Sequence, residues 1–421
     1  MTSGNGFAIA GIPNEWETMR LHDIAEIRSG VAKNSNVEVS DPISVHYLRV
    51  ANVQDGYLDL SEMSKIEISR NHLARFTVLP GDVLMNEGGD LDQLGRGALW
   101  KGQYSPCVHQ NHVFVVRCRS TVTPEFLSHW TGSETAKSYF LVGGKQTTNL
   151  ASINKTALGL LPVAVPPLDE QRAIAEALND VDALLGVLDR MLTKKRDLKQ
   201  AAMQQLLTGQ TRLPEFNGEW EEKPLPSVCW YQEGPGVRNS QFTSSGVKLL
   251  NGTNIFRGTV NLESTTRFIS KAEAYGPYSH FLADEGDIVL ASSGITIDRL
   301  DEKVAFVAAA NLPFCMNTST IRFKPKASKL DAKYLYQFLM SDGFKKPIGL
   351  QATGSAQLNF GPSHVAKVNI ALPNICEQTA IAEVLSDMDA EIAALVRRRE
   401  KTQDLKQGMM QELLTGKTRL L

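Results

Sequence analysis

Long hydrophobic runs are missing from this chain. No stretch offers the roughly 18 consecutive apolar residues that a membrane-crossing helix needs, and Met1–Pro13 has no basic run leading into an apolar one. A cytoplasmic protein with no membrane partner is expected. Cysteine is scarce: the five residues, Cys107, Cys118, Cys229, Cys315 and Cys376, are odd in number, scattered and without a C-x-x-C pair. That excludes a disulfide framework and a zinc knuckle and predicts buried thiols. A basic excess is missing too, with 44 Lys and Arg against 46 Asp and Glu and a net charge of -2. A nucleic-acid role then requires charge gathered on one face, or a partner that supplies much of the phosphate contact.

The motifs of common catalytic sites are also absent. Gly416, Lys417 and Thr418 resemble the end of a phosphate-binding loop, but that motif needs a glycine where Gln411 stands. Asn311, Leu312, Pro313 and Phe314 approach the Asn-Pro-Pro-Phe motif with which adenine methyltransferases hold a flipped base. Leu312 breaks it, no glycine-rich cofactor loop accompanies it, and a strand edge is the expected structure. Cys107, His109 and His112 are close enough to share a metal, yet the second half offers only Cys315 and no fourth ligand is evident. Glu87, Asp90 and Asp92 read as a polar loop, because no lysine follows at nuclease spacing. No catalytic residue, metal or cofactor is expected.

What is present is a globular composition, 42% hydrophobic and 21% charged over 421 residues, enough for about two to four domains. It carries a strong internal repeat. Residues 170–213 laid over 377–420 are identical at 26 of 44 positions. Glu170, Gln171, Ala173, Ile174, Ala175 and Glu176 match Glu377, Gln378, Ala380, Ile381, Ala382 and Glu383. At the other end Leu206, Leu207, Thr208 and Gly209 match Leu413, Leu414, Thr415 and Gly416. Upstream, only a skeleton is shared: Trp16 with Trp220, Asn52 with Asn254, Gly56 with Gly258, and Gly81-Asp82 with Gly286-Asp287.

Within the repeat Ile174, Leu178, Val181, Leu185, Leu188 and Leu192 step by four and three, as do Ile381, Leu385, Met388, Ile392 and Leu395. This is the seam of a long helix that needs a partner helix. About 40 residues at 1.5 Å each make a rod of about 60 Å, enough for at most about 18 base pairs of duplex. The stretches outside the repeat mix short strand patterns, at 47–53, 78–85, 113–117, 287–291 and 318–323, with helical ones near 124–140 and 331–342. The fold class is α+β: two repeated mixed α/β domains joined by two long helices that pair as an antiparallel coiled coil with pseudo-two-fold symmetry. The division along the chain is 1–160, a central helix at 161–213, 214–368, and a distal helix at 369–421.

Two divergent domains, each closed by a Glu-Gln-x-x-Ile-Ala helix ending in Leu-Leu-Thr-Gly, resemble the specificity subunits of type I restriction-modification systems. The resemblance rests on Pro166, Pro167, Leu168, Glu170, Gln171, Ile174 and Ala175, on Pro373, Glu377, Gln378, Ile381 and Ala382, and on the two Gly-Asp turns. It implies a non-catalytic subunit with two target-recognition domains, each reading one half of a split, asymmetric site in double-stranded DNA. It also implies that the shared helices dock two methyltransferase subunits, with restriction subunits joining them. Glu170, Gln171, Ile174, Glu377, Gln378 and Ile381 mark those docking helices.

Base reading needs Arg, Asn, Gln, Ser or Thr on exposed loops. Two loops per half have that composition at equivalent positions. The first follows the Gly-Asp strand and carries Asn86, Gln93 and Arg96 in one half, Ser292, Ser293 and Arg299 in the other. The second precedes the long helix and carries Lys145, Gln146, Thr147, Thr148 and Asn149, against Thr353, Ser355, Gln357 and Asn359. Lys345 and Lys346 suit phosphate contacts, which position without reading sequence. The Arg397–Arg399 run reads as a solvated helix face, with contact to a subunit or phosphate as the alternative. A rival reading of the whole chain is a protein-binding scaffold whose helices form a dimerisation spacer, with no DNA reading; exposed aromatic patches lacking nearby Lys or Arg would mark it.

Overall fold

Two helices of 39 residues, Leu168–Leu206 and Ile375–Leu413, dominate the computed structural model, each about 58 Å long at 1.5 Å per residue. The model describes residues 9, 11–32, 39–89, 94–143, 145–146, 151–351 and 357–420. Chain packing divides it into two units: residues 1–189 with 398–421, and residues 190–397. Each unit therefore combines the start of one long helix with the end of the other. This grouping differs from the linear four-part division, because the helices pair with each other along the seam rather than standing as separate segments.

Inside each unit the helix segments run antiparallel, and ion pairs set their register. In the first unit Asp189 accepts from Arg399 at 2.6 Å while Asp182 lies 2.6 Å from Lys406. In the second, Lys195 meets Glu391 at 2.5 Å and Lys199 meets Asp389 at 2.6 Å. The Lys406–Asp182 and Lys199–Asp389 pairs occupy equivalent positions of the repeat. The predicted seam is the buried face: Ile174, Leu178, Leu185, Leu188 and Leu192 are buried in the first helix, Ile381 and Leu385 in the second. In the second unit Met203, Leu206 and Leu207 share a core with Ile381, Ala382 and Leu385; in the first, Ile174, Ala175 and Leu178 share one with Leu413 and Leu414.

The two main sheets of each unit repeat in the same strand order. A four-stranded sheet has the order Ala25–Ser29, Val113–Cys118, Val83–Asn86, Gly97–Leu99 in the first unit. In the second the order is Cys229–Glu233, Thr320–Pro325, Ile288–Ala291, Val304–Phe306. A three-stranded sheet with one parallel pairing lies beside each: Ser64–Ser69, Pro42–Leu48 and Cys107–His109 in one, Phe268–Ile269, Val247–Leu250 and Phe314–Met316 in the other. A two-stranded ribbon, Glu17–Arg20 with Pro162–Val165 or Glu221–Pro224 with Asn369–Leu372, leads into each long helix.

The residues shared between the two halves outside the helices shape turns. Gly81 and Gly286 have φ of +93° and +83°, a region that favours glycine. Asp82 and Asp287 then accept from the backbone N–H of Leu79 and Asp284 and pair with Arg117 and Arg322 on the adjacent strand. Asn52 and Asn254 each close a turn by accepting from the backbone three residues upstream and donating to a carbonyl seven downstream. Hence Val50–Asn52, within a stretch that reads as strand from its β-branched residues, is a 3-10 turn: the Asn52 amide replaces ladder bonds.

The Glu-Gln pair that opens each long helix meets the end of the other. Glu377 is fully buried and takes two bonds from Arg212, at 2.5 and 2.6 Å. Glu170, 2% exposed, takes the equivalent two from Arg419 and a third, at 3.0 Å, from the indole of Trp16. Gln171 donates to the carbonyls of Pro166 and Thr121 and accepts from Thr123; Gln378 does the same with Pro373, Lys329 and Asp331. The Leu-Leu-Thr-Gly ending supplies the other side of this latch. Gly209 and Gly416 both have φ of +71°, turning the chain so that the arginine three residues later reaches back. Trp220 and Trp16 cover the two glycines, and a Cβ on Gly416 would lie 2.4 Å from Pro13.

Two substitutions test this packing by urea unfolding. Gly416→Ala is expected to destabilise by more than about 1 kcal/mol through its left-handed backbone and the Pro13 contact. Leu385→Ala is expected to cost about 2–5 kcal/mol, against within about 0.5 kcal/mol for the neighbouring exposed Val384→Ala.

Candidate nucleic-acid interface

The two loops singled out in each half are brought together. In the first unit Gly88–Gly89, just past the Gly-Asp strand, pairs antiparallel with Ala151–Ser152, which pairs in turn with Lys145–Gln146. In the second, Ser293 pairs with Asn359 and Ile295 with Leu358, with a bulge between. Gly294 takes φ of +71° at that bulge. The strand ends are thus stitched to the segment that precedes the long helix, so each loop pair forms one edge.

Side chains on this edge differ between the units. In the second, the Ser293 hydroxyl donates to the Asn359 amide oxygen, and Ser293, Gln357 and Asn359 are exposed. Arg299, with its side chain 64% exposed, donates from Nε to Glu302 at 2.8 Å. In the first unit Arg96 donates to Gln54 at 3.3 Å, and Lys145 and Gln146 sit in the short strand. Gln93, Thr147, Thr148, Asn149, Thr353 and Ser355 lie outside the described residues.

Several sequence-based site readings change. Asn86 is 1% exposed and donates to the carbonyls of Val50 and Val53 at 3.2 and 2.9 Å, so it braces a turn in the core instead of facing a ligand. Ser292 is likewise 1% exposed, because its backbone is tied to Ser319 and Phe360 on either side. Lys345 turns inward to Asp301 at 2.8 Å and is 19% exposed, whereas Lys346 is 73% exposed beside Asp342. Glu170, Gln171, Ile174, Glu377, Gln378 and Ile381 are all buried in their own unit. Their side chains serve the latch and the helix seam, so a docking surface on these helices is made by other residues.

The remaining candidates fall into ordinary structural roles. Asn311 donates to Val260 and accepts from Ala308, and Phe314 is buried in a strand. His109 is buried with Nδ1 2.6 Å from the Val113 carbonyl, while His112 is exposed and pairs with Glu87 at 2.6 Å. Burial pushes the thiols of Cys107 and Cys315 up to about 12. Among the described residues no three His, Cys, Asp or Glu side chains gather as a metal site, and no helix is long and apolar enough to cross a membrane.

Sequence reasoning missed the corner beside each edge. In the second unit this is the turn Phe256-Arg257-Gly258, whose exposed Phe256 lies under the Arg257 guanidinium at 5.0 Å. In the first it is Gln54-Asp55-Gly56, with Asp55 held by Lys137 at 2.7 Å. The signal was the shared Gly56 and Gly258, which mark a turn whose other residues differ.

The architecture is that of a duplicated two-domain protein with variable edges and shared helical latches. A family model for the type I restriction modification DNA specificity domain matches residues 13–190 and again 217–403, and the chain belongs to that family. It is 25% identical over 423 residues to the type I restriction enzyme MjaVIII specificity subunit of Methanocaldococcus jannaschii, covering 97% of this chain and 94% of that one. The fold is similar to that of a type I restriction-modification S subunit from M. genitalium, with TM-score 0.56, 12% identity and coverage of 96% and 97%. It is also similar to a chain from a structure of type I R-M complex assembly and conformational transition, with TM-score 0.58, 16% identity and coverage of 96% and 98%.

Burial lowers the His109 imidazole to about 4. Above pH 6.5 it is neutral in folded and unfolded chains alike. Between pH 6.5 and 4 only the unfolded chain takes up the proton, so stability falls as pH drops, by up to about 1.4 kcal/mol per pH unit from this group. His129, lowered by burial as well, adds to the same slope. His109→Gln is expected to flatten the pH dependence of the urea midpoint across that window.

Proposed function

We propose that the two edges, Gly88–Gly89 with Ala151–Ser152 and Lys145–Gln146, and Ser293–Ile295 with Leu358–Asn359, each read one half of an asymmetric, two-part DNA target. Family membership makes the chain the non-catalytic, sequence-specific subunit of a type I enzyme, working with methyltransferase and restriction subunits. The observation that carries the assignment of the edges is their construction: one set of turns and latches, shared by both units, carries two sets of polar side chains that are not shared. Identical scaffolds with different readers predict target halves that differ in sequence.

On this reading Arg96, Gln93, Lys145, Gln146, Thr147, Thr148 and Asn149 contact one half. Ser293, Arg299, Thr353, Ser355, Gln357 and Asn359 contact the other, and Lys346 meets a phosphate. Residues 1–160 and 214–368 act as the two target-recognition domains in the cytoplasm. Two methyltransferase subunits dock on exposed faces of the long helices, where Leu198 and Leu405, equivalent in the repeat, are 48% and 58% exposed. Apolar side chains of that size on a solvent face suit a protein partner.

Co-expression with a methyltransferase subunit of a type I system encoded beside it, followed by single-molecule mapping of methylated adenine across the host DNA, tests the proposal. Methylation at one split, non-palindromic motif that disappears without this chain is expected. A palindromic motif, or an unchanged pattern beside a stable protein complex, contradicts it.

A further inference from the structure

The corner that sequence reasoning missed in the second unit holds a charge arrangement with its own chemistry. Ile255–Phe256 and Thr259–Val260 form a hairpin in which Phe256 pairs with Thr259, leaving Arg257 and Gly258 as a two-residue turn. Both have positive φ, +45° and +81°. Turns of this kind take Asn, Asp or Gly at the first position, since a longer side chain is strained there. An arginine at that place is held in an unfavourable backbone conformation, and its side chain is 58% exposed.

Glu302 fixes it. One carboxylate oxygen accepts Nε and Nη2 of Arg257 at 3.0 and 2.8 Å, and the other accepts Nε of Arg299 at 2.8 Å. The Arg257 backbone N–H also donates to the Glu302 carbonyl at 2.6 Å. Lys303 lies 5.6 Å from the Phe256 ring and donates to the carbonyls of Gly252 and Ile255. Burial raises the Glu302 carboxyl, and the bonds from Arg257 and Arg299 outweigh it, leaving the group below the usual carboxylate range. Two exposed guanidiniums therefore converge on one anion of the same chain, whose own side chain is only 18% exposed. The helical turn that carries Arg299 and Glu302 directly follows the Ser293–Ile295 strand of the proposed reading edge.

We propose that Glu302 stands in for a DNA phosphate: it holds Arg257 and Arg299 together in the free protein and yields them to a backbone phosphate when duplex binds. The inference rests on the reading of this unit as a DNA-recognition domain. A phosphate, like the Glu302 carboxylate, presents two anionic oxygens, one for each guanidinium. Because the arginines must leave one anion to meet another, their gain on non-target DNA is small. Discrimination then falls to the base-reading side chains, in keeping with the chain's net charge of -2.

The test uses the full-length chain, a 30-base-pair duplex of random sequence, and fluorescence anisotropy across a salt series. E302Q is expected to tighten binding roughly tenfold at low salt and to steepen the slope of log K against log salt by about one. Loss of a negative charge anywhere nearby would also tighten binding, so E302Q is compared in a background carrying R257A and R299A. There the gain is expected to shrink to the small effect of one lost negative charge, with circular dichroism melts confirming that each variant is folded. A gain that is as large without both arginines as with them, or an E302Q protein that is folded and binds as the parent does, overturns the inference while leaving DNA recognition intact. Absence of binding by every variant at the lowest salt, both alone and assembled with the methyltransferase subunits, instead contradicts the reading of this unit as a DNA-recognition domain.

Discussion

A buried carboxylate cannot remain charged without a partner, and each unit of this protein is organised around one. Glu170 and Glu377 are almost fully withdrawn from water, and each is met by an arginine that arrives from the far end of the other helix repeat. Removing a carboxylate from solvent costs several kcal/mol, which only close geometry and further hydrogen bonds offset. That requirement explains the otherwise arbitrary list of shared residues. The glycine turns the chain, the tryptophan covers the glycine, and the arginine closes on the glutamate. The neighbouring glutamine satisfies backbone groups where the ribbon enters the helix.

The latch joins residues 249 apart in one unit and 165 apart in the other, so the first unit closes only when residues 398–421 return to residues 1–189, while the second is built from the single stretch 190–397. The helices carry both a seam and a register, with Lys199–Asp389 and Lys406–Asp182 as equivalent pairs. Their lysines are 12% and 14% exposed beside half-exposed aspartates, and pairs at such a partly open seam contribute modestly to stability, on the order of 1 kcal/mol. Their effect is on alignment: a slip along the seam would separate both the charges and the latch.

Much of this architecture was legible in the sequence because repetition and periodicity are local signals. The 207-residue offset, the seam through Ile174, Leu178, Leu185, Leu188 and Leu192, and the glycine ends all follow from residue spacing. So does the placement of two polar loops per half, which the structure stitches into one edge. Burial is not a local signal, and there the reading failed. Asn86 and Ser292 carry the chemistry of base readers but lie inside, since the strands they end are covered on both faces. Glu170 and Glu377 were legible as markers of the docking helices, but not as buried charges, because their arginines are far away in sequence. Arg212 and Arg419 were present in the repeat as its last matched charge, yet nothing in their spacing showed that they return to the helix start.

Residues that are the same in both units hold them together, and residues that differ form the edges proposed to read DNA. The most direct test of that division maps methylated adenine in cells carrying the assembled system with S293A and N359A in this chain. Methylation is expected to persist with one half of the split motif relaxed and the other half unchanged. Relaxation of both halves, or a motif identical to that of the parent protein, would contradict the division.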